Sequence, residues 1–271
     1  MLAKRLKFVG EKMSSFDILV KDLQNLGLKK GDTVVVHSSL KSMGHVEGGA
    51  DTVIDALIEV VGKDGNVMFP TLSWWPCTST LKFDAKETPS CVGYISNVFR
   101  KRDGVVRSFH PTHSVCAFGK NALELTKDHR LDDTPVGANS PYRKMLDNNG
   151  KILMLGCGTG PNTFMHGLEE IGGAPYCLGE EKTFEMTDID GKVYNKSIKQ
   201  HFFHRPEGNI IQRYDRAVDV LEKGVDYFVG EVHGATAYLM NAKTLCEKAV
   251  AKMKISPCYF IDDPNGIIKL D

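Results

Sequence analysis

The stretch from Lys151 to Glu170 constrains the fold most. Its apolar run, Lys151-Ile-Leu-Met-Leu155, is five residues long and ends at glycine, so it reads as a buried strand entering the turn Gly156-Cys-Gly-Thr-Gly160. Pro161 comes next and suits the first turn of a helix, where its missing N–H goes unused. In that helix His166 and Glu169 stand three residues apart and share a face. A strand, a glycine turn and a helix carrying an imidazole and a carboxylate make a common frame for a reaction centre.

The rest of the chain repeats this grammar. Behind Ser14, the residues Phe16, Leu19, Leu23 and Leu26 fall at helical spacing and Gly27 closes the pattern. Thr33-Val-Val-Val36 is a β-branched strand that ends in His37-Ser38-Ser39-Leu40 and leads to a helix over about 50–61. Gly65 to Thr71 is a second apolar strand, followed by Trp74 and Trp75, which either line a groove or pack in the core. Residues 76–90 read as a long surface loop, and 93–102 as helix. Val115 to Phe118 is a further strand, 121–130 is helical, and Ser140-Pro141 opens another helix. A hairpin is expected around Asp190-Gly191, an amphipathic helix over Tyr214–Lys223, strands over 225–232 and 235–240, and a final helix capped by Asn241. No linker or repeat interrupts this order, so residues 1–271 are expected to form one α/β domain with a central mixed sheet flanked by helices.

Composition excludes several functions. Lys plus Arg equals Asp plus Glu, 34 against 34, so no basic field supports nucleic-acid binding. No apolar run approaches the roughly 18 residues of a membrane span. The basic start, Met1 to Lys7, is followed by Glu11, Lys12 and Asp17 rather than by an apolar segment, so a cytoplasmic protein is expected. Seven cysteines with no CxxC pair read as reduced thiols, and no zinc site is expected. His201 and His204 are three apart, a spacing that can bind a metal, but no third ligand is obvious and the pair reads better as a polar cluster near a site.

Candidate chemistry collects at strand ends and in the loops or turns just beyond them: His37, Arg107, His110, Asn162 and His166 all fall there. Ser38 and Ser39 either hold a ligand oxygen or merely cap a turn. Arg107 offers a planar fork for a phosphate or carboxylate, while His110 and His113 read equally well as ordinary loop residues. There is no Walker lysine, and Asn162-Thr163 stand where a dinucleotide fingerprint needs its last glycine.

Three blocks resemble one family. His37-Ser-Ser-Leu40 with Gly44 and Gly48-Gly49, Arg107-Ser-Phe-His-Pro111 with Ser114 and Ala117-Phe-Gly119, and Asn162-Thr-Phe-Met-His166 with Glu169 are similar to the signatures of the aminoglycoside 3-N-acetyltransferases, in the same order. The likeness spans about residues 15–245. It implies a single α/β domain distinct from the common small acetyl-CoA N-acetyltransferase fold. It also implies acetyl transfer from acetyl-CoA to an amine of an aminoglycoside or related amino sugar, with no metal and a possible homodimer. Carried over by position, His166 is the general base, Glu169 orients it or attracts the acceptor, and His37 faces the acceptor or the reacting carbonyl. Ser38, Ser39, Leu40, Thr71, Arg107, Ser108, His110 and Ser114 fall where coenzyme A is held, and Asn162 and Thr163 position the thioester or the histidine. Imidazole, with an unperturbed pKa near ~6.5, suits the task of taking an amine proton.

One departure stands out. Many members that modify aminoglycosides carry an acidic run after the hairpin, whereas Lys199-Gln-His201-Phe-Phe-His204-Arg205 occupies that region here. An acceptor with fewer positive charges is therefore expected. Two rival readings remain open at this point: a hydrolase or acyltransferase with Cys157 as nucleophile, and a non-catalytic acyl-CoA or sugar-binding protein.

Overall fold

A computed structural model describes residues 13–269, so the Met1–Lys7 segment and the terminal Asp271 lie outside the described residues. Ten of its strands matter for function. They are β1 (Thr33–Ser38), β2 (Asn66–Pro70), β3 (Lys82–Asp84), β4 (Val106–Arg107), β5 (Val115–Gly119), β6 (Gly150–Leu155), β7 (Leu178–Thr187), β8 (Val193–His201) and the hairpin Tyr227–Val232 with Ala235–Asn241. Seven form one sheet, in the order Tyr227–Val232, Ala235–Asn241, β6, β1, β2, β5, β4. β1 runs parallel to β2 and β6, while β5 is antiparallel to β2 and Ala235–Asn241 is antiparallel to β6. This is the expected mixed sheet.

Its helices are α1 (Ser15–Leu26), α2 (Gly49–Val61), α3 (Trp74–Thr80), α4 (Tyr94–Phe99), α5 (Ala122–Thr126), α6 (Pro141–Lys144), α7 (Phe164–Gly172) and α8 (Ala242–Ile255). α1 forms where the pattern required: Ser14 accepts the Asp17 N–H, Leu19, Leu23 and Leu26 are buried, and Gly27 ends the helix at φ 111°. That left-handed value is the reason glycine stands there.

Strand alternation then divides the core. Val34 and Val36, with Leu153 and Leu155, face α1 and α2, whereas Val35, Ile152 and Met154 pack with Met165 and Leu168 of α7 and Leu245 of α8. Because side chains on a strand alternate with period two, His37 points to the same side as Val35, toward α7. The parallel trio β6–β1–β2 ends at one edge, and antiparallel β5 begins there. That topology gathers the loops after Ser38, Pro70 and Leu155 and the loop before Val115 into one place.

Three local expectations are corrected. Residues 76–90 are not an open loop, because Trp74–Thr80 is helical and Lys82–Asp84 pairs with β7. Pro76 lies in the first turn of α3, where it costs no hydrogen bond. The hairpin around Asp190-Gly191 is longer than expected and runs from Leu178 to His201. Tyr214–Val220 is a 3-10 helix rather than an amphipathic α-helix extending to Lys223. Among the described residues no helix is long and apolar enough to cross a membrane.

Candidate active site

His166 lies on α7 with only 9% of its surface exposed, and Glu169, one turn on, is fully buried. Between them stands Tyr214, brought in from the 3-10 helix. Its hydroxyl donates to Glu169 Oε2 at 2.7 Å and lies 2.8 Å from His166 Nδ1, which is itself 3.3 Å from that carboxylate oxygen. The phenol has one proton and spends it on Glu169, so Nδ1 must carry the proton that donates to the phenol oxygen. That assigns the tautomer and leaves Nε2 with a free lone pair. Burial, reinforced by the Glu169 charge, holds the Tyr214 pKa well above its ordinary value, so the phenol stays a donor.

The first turn of α7 is tied to β1. His37 Nε2 accepts the Thr163 N–H at 3.0 Å, and Asn162 Oδ1 accepts the Phe164 N–H at 3.3 Å. Burial drives the His37 pKa down to about 3, with nearby His166 adding to the effect, so the ring is a neutral acceptor. His37 thus bonds to the backbone at the start of the helix that carries His166, so its Nε2 is not turned to an acceptor or a reacting carbonyl. Gly156 has φ 71°, and a Cβ there would lie 2.8 Å from the Ser42 side chain, which is why the chain turns here through glycine beside the loop after β1.

Ser38, Ser39 and Leu40 are half-buried at the end of β1, and Ser39 Oγ accepts from Ser42 Oγ at 2.9 Å. The other expected coenzyme-binding side chains gather at this edge, and apart from His110 Nε2, which has no partner among the described residues, their polar atoms bond within the protein. Thr71 Oγ1 accepts the Cys116 N–H, and Ser114 Oγ donates to Thr71 O. Ser108 Oγ accepts the Val115 N–H and lies 2.8 Å from His129 Nδ1. His110 Nδ1 accepts the backbone N–H groups of Thr112 and His113, and its ring stacks on His129 at 4.7 Å. Arg107 does not present an open fork. It donates to Ser114 Oγ and to the carbonyls of Ala85, Thr88 and Thr71, and its guanidinium sits over the Phe83 ring at 4.9 Å. Replacing it leaves the Ala85 and Thr88 carbonyls without their donor, while Thr71 O keeps the Ser114 hydroxyl, so Arg107→Ala is expected to lower stability by about 2–4 kcal/mol in urea unfolding. An unchanged midpoint would show that those bonds contribute nothing.

A cavity of about 400 Å³ opens beside His166. Leu72, Trp74, Phe202 and Phe203 form apolar walls, and Thr112, His113, His166, Gln200, His201, His204 and Lys182 are also in its lining. No Asp or Glu is among the lining residues, and Lys182 is the one formally charged side chain there. Trp74 and Trp75 are 46% and 66% exposed, which places neither in the core. Sequence reasoning missed Tyr214 and left His113 as a loop residue, whereas His201 and His204, read as a polar cluster near a site, do line this cavity.

Cys157 is half-buried, and burial pushes its thiol up to about 11. Among the described residues its thiol donates to the Gly158 carbonyl and has no basic side chain as a hydrogen-bond partner, which a nucleophilic thiol needs.

The family model described as Aminoglycoside 3-N-acetyltransferase matches residues 35–254. Aminoglycoside N(3)-acetyltransferase VII of Streptomyces paromomycinus is 36% identical over 87% of this chain and 90% of its own. Among solved structures, aminoglycoside acetyltransferase AAC(3)-IVa, crystallised as a mutant in complex with a gentamicin, superposes with a TM-score of 0.80 at 25% identity over 96% of both chains. YokD of Bacillus subtilis superposes with a TM-score of 0.77 at 29% identity over 92% of this chain and 96% of its own.

Proposed function

The chain belongs to the aminoglycoside 3-N-acetyltransferase family and is an acyltransferase of that kind, and from that premise we propose direct acetyl transfer from acetyl-CoA to an amine of an amino sugar, with His166 as general base. The observation that carries this reading is the chain His166 Nδ1–H, Tyr214 O–H, Glu169 carboxylate, with His166 in the lining of the cavity. The acceptor nitrogen attacks the thioester carbonyl carbon, the C–S bond breaks, and coenzyme A leaves as a thiolate. Nε2 takes the proton that the nitrogen must shed and returns it to sulfur or to water. Glu169 stabilises the imidazolium that forms, through the phenol and across the 3.3 Å contact. No acyl-enzyme is needed, because holding both substrates together supplies the rate through proximity and orientation.

The cavity also supports a preference among acceptors. A polycationic drug gains from carboxylates, and this lining offers none, while Lys182 repels it. The acceptor is therefore an amino sugar with few positive charges. Measured as kcat/KM by thiol release, a monoamino sugar or a nucleotide-linked amino sugar is expected to exceed gentamicin by at least tenfold. Tight binding and rapid acetylation of gentamicin would overturn this preference.

Thiol chemistry is separated from direct transfer by one substitution. Cys157→Ser is expected to retain full activity, and a loss comparable to that of a catalytic residue would revive the covalent alternative.

A further inference from the structure

Three imidazoles from distant segments meet on the cavity wall: His113 before β5, His166 on α7 and His201 at the end of β8. One ring nitrogen from each lies within 4.8 Å of the other two. His113 stands edge-on to both partners, at 5.4 Å from His166 and 4.7 Å from His201, and His166 and His201 stack at 4.0 Å with 27° between planes. The side chain of His201 is 6% exposed, and His113 is 5% exposed.

Each ring has one nitrogen fixed by an oxygen. His166 Nδ1 is held by Tyr214 and Glu169, His201 Nε2 lies 3.2 Å from Glu170 Oε1, and His113 Nδ1 lies 2.9 Å from Thr112 Oγ1. Glu170 is itself anchored by the Thr134 hydroxyl and the Val136 N–H. Among the described residues no hydrogen bond engages the opposite nitrogen of these rings, and His201 Nδ1 is buried without a partner. Oxygen partners that fix one nitrogen while the other is free are the outer-shell pattern of histidine metal sites.

We propose that His113, His166 and His201 form a capture site for a divalent transition metal ion, foremost Zn2+, that turns the enzyme off. The ion is no cofactor of the transfer. Three imidazoles and an open fourth position suit zinc, whose Zn–N bonds of about 2.0–2.1 Å place tetrahedral ligands roughly 3.4 Å apart. The rings therefore close by about an ångström on binding, and His201 tilts out of its stack so that its lone pair meets the ion in the ring plane. His204 takes no part, since it is exposed and its Nδ1 pairs with Asn209 at 3.0 Å. Of the pair that sequence spacing offered only His201 belongs to the cluster, and the tertiary fold supplies the other two ligands, His113 and His166. Inhibition follows because the ion occupies the lone pair that takes the amine proton, and this consequence alone rests on the proposed function.

Chelator-stripped full-length protein is titrated with Co2+ and followed by visible absorption, then with Zn2+ against a chromophoric indicator. One equivalent is expected to bind, with d–d bands and no thiolate charge-transfer band. Zn2+ affinity is expected to fall at least tenfold in His113→Ala and in His201→Ala, and to stay unchanged in His204→Ala. A thiolate band, no binding, or undiminished affinity in folded His113 and His201 variants would overturn the site. Should those variants fail to fold, the wild-type Co2+ spectrum decides on its own. Stoichiometric binding that leaves turnover intact would sink the general-base reading while leaving the metal site standing.

Discussion

Replacing His166 by alanine is expected to lower kcat by about 10²–10⁴-fold, the usual contribution of a positioned base, with the KM for acetyl-CoA little changed. The reason is geometric. His166 lines the cavity, its Nδ1 proton is committed to Tyr214, and the tautomer fixed by that bond leaves Nε2 as the acceptor. Tyr214→Phe removes the bridge but keeps the 3.3 Å contact between Nδ1 and Glu169, so its expected loss in kcat is smaller, about tenfold. Glu169→Gln keeps the shape and removes the charge that stabilises the imidazolium, and its loss is expected to fall between those two. Steady-state kinetics with a saturating amine orders the three variants. Turnover by His166→Ala within a few-fold of the wild type would end the general-base assignment.

Mild acid is expected to unfold this protein. Burial holds His37 and His129 down to about 3, and it holds His110, His113 and His201 well below the ordinary histidine range. The unfolded chain binds a proton at each near pH ~6.5. Their folded-state pKa values are depressed, so the stability they confer is fully present above about pH 6.5 and is lost as pH falls toward about 3. Each contributes a slope of up to about 1.4 kcal/mol per pH unit, and acting together they exhaust a typical margin of about 5–15 kcal/mol within roughly one to two units. Asp32, Asp132 and Glu170 are pushed up by burial and pull the other way, but they are three groups against five imidazoles. Thermal melts between pH 8 and 4 are therefore expected to show Tm steady above about 7 and falling steeply below about 6. A flat Tm across that range would mean that these imidazoles are charged or wet in the folded protein.

Much of the frame was legible because it is local. The apolar run before Gly156, Pro161 at the helix start and the three-residue step from His166 to Glu169 each state their geometry within a few residues, and the structure has β6, a turn and α7 in that order. The alternation of Val34, Val35 and Val36 even places His37 on the α7 side. What remained hidden is tertiary. Tyr214 is 48 residues beyond His166 and sits in an ordinary amphipathic pattern, so nothing local marks it as the bridge to Glu169. His113 and His201 carry no spacing signal toward His166, because their meeting depends on the β7–β8 hairpin folding over the sheet edge. Arg107 was misleading for the opposite reason: its chemistry suits an anion, but four protein oxygens reach it first. Residues 76–90 looked like a loop because Lys82–Asp84 has no strand character until β7 offers it a partner.

The most direct test incubates the wild-type protein and His166→Ala with acetyl-CoA and a set of amines that spans aminoglycosides, monoamino sugars and nucleotide-linked amino sugars. Free thiol is read continuously and the acceptor is identified by mass. The wild type is expected to release thiol in step with N-acetylation of an amino sugar carrying few positive charges, and the variant to release almost none. Thiol release matched in His166→Ala, or no release by the wild type with any amine, would contradict acetyl transfer by this site.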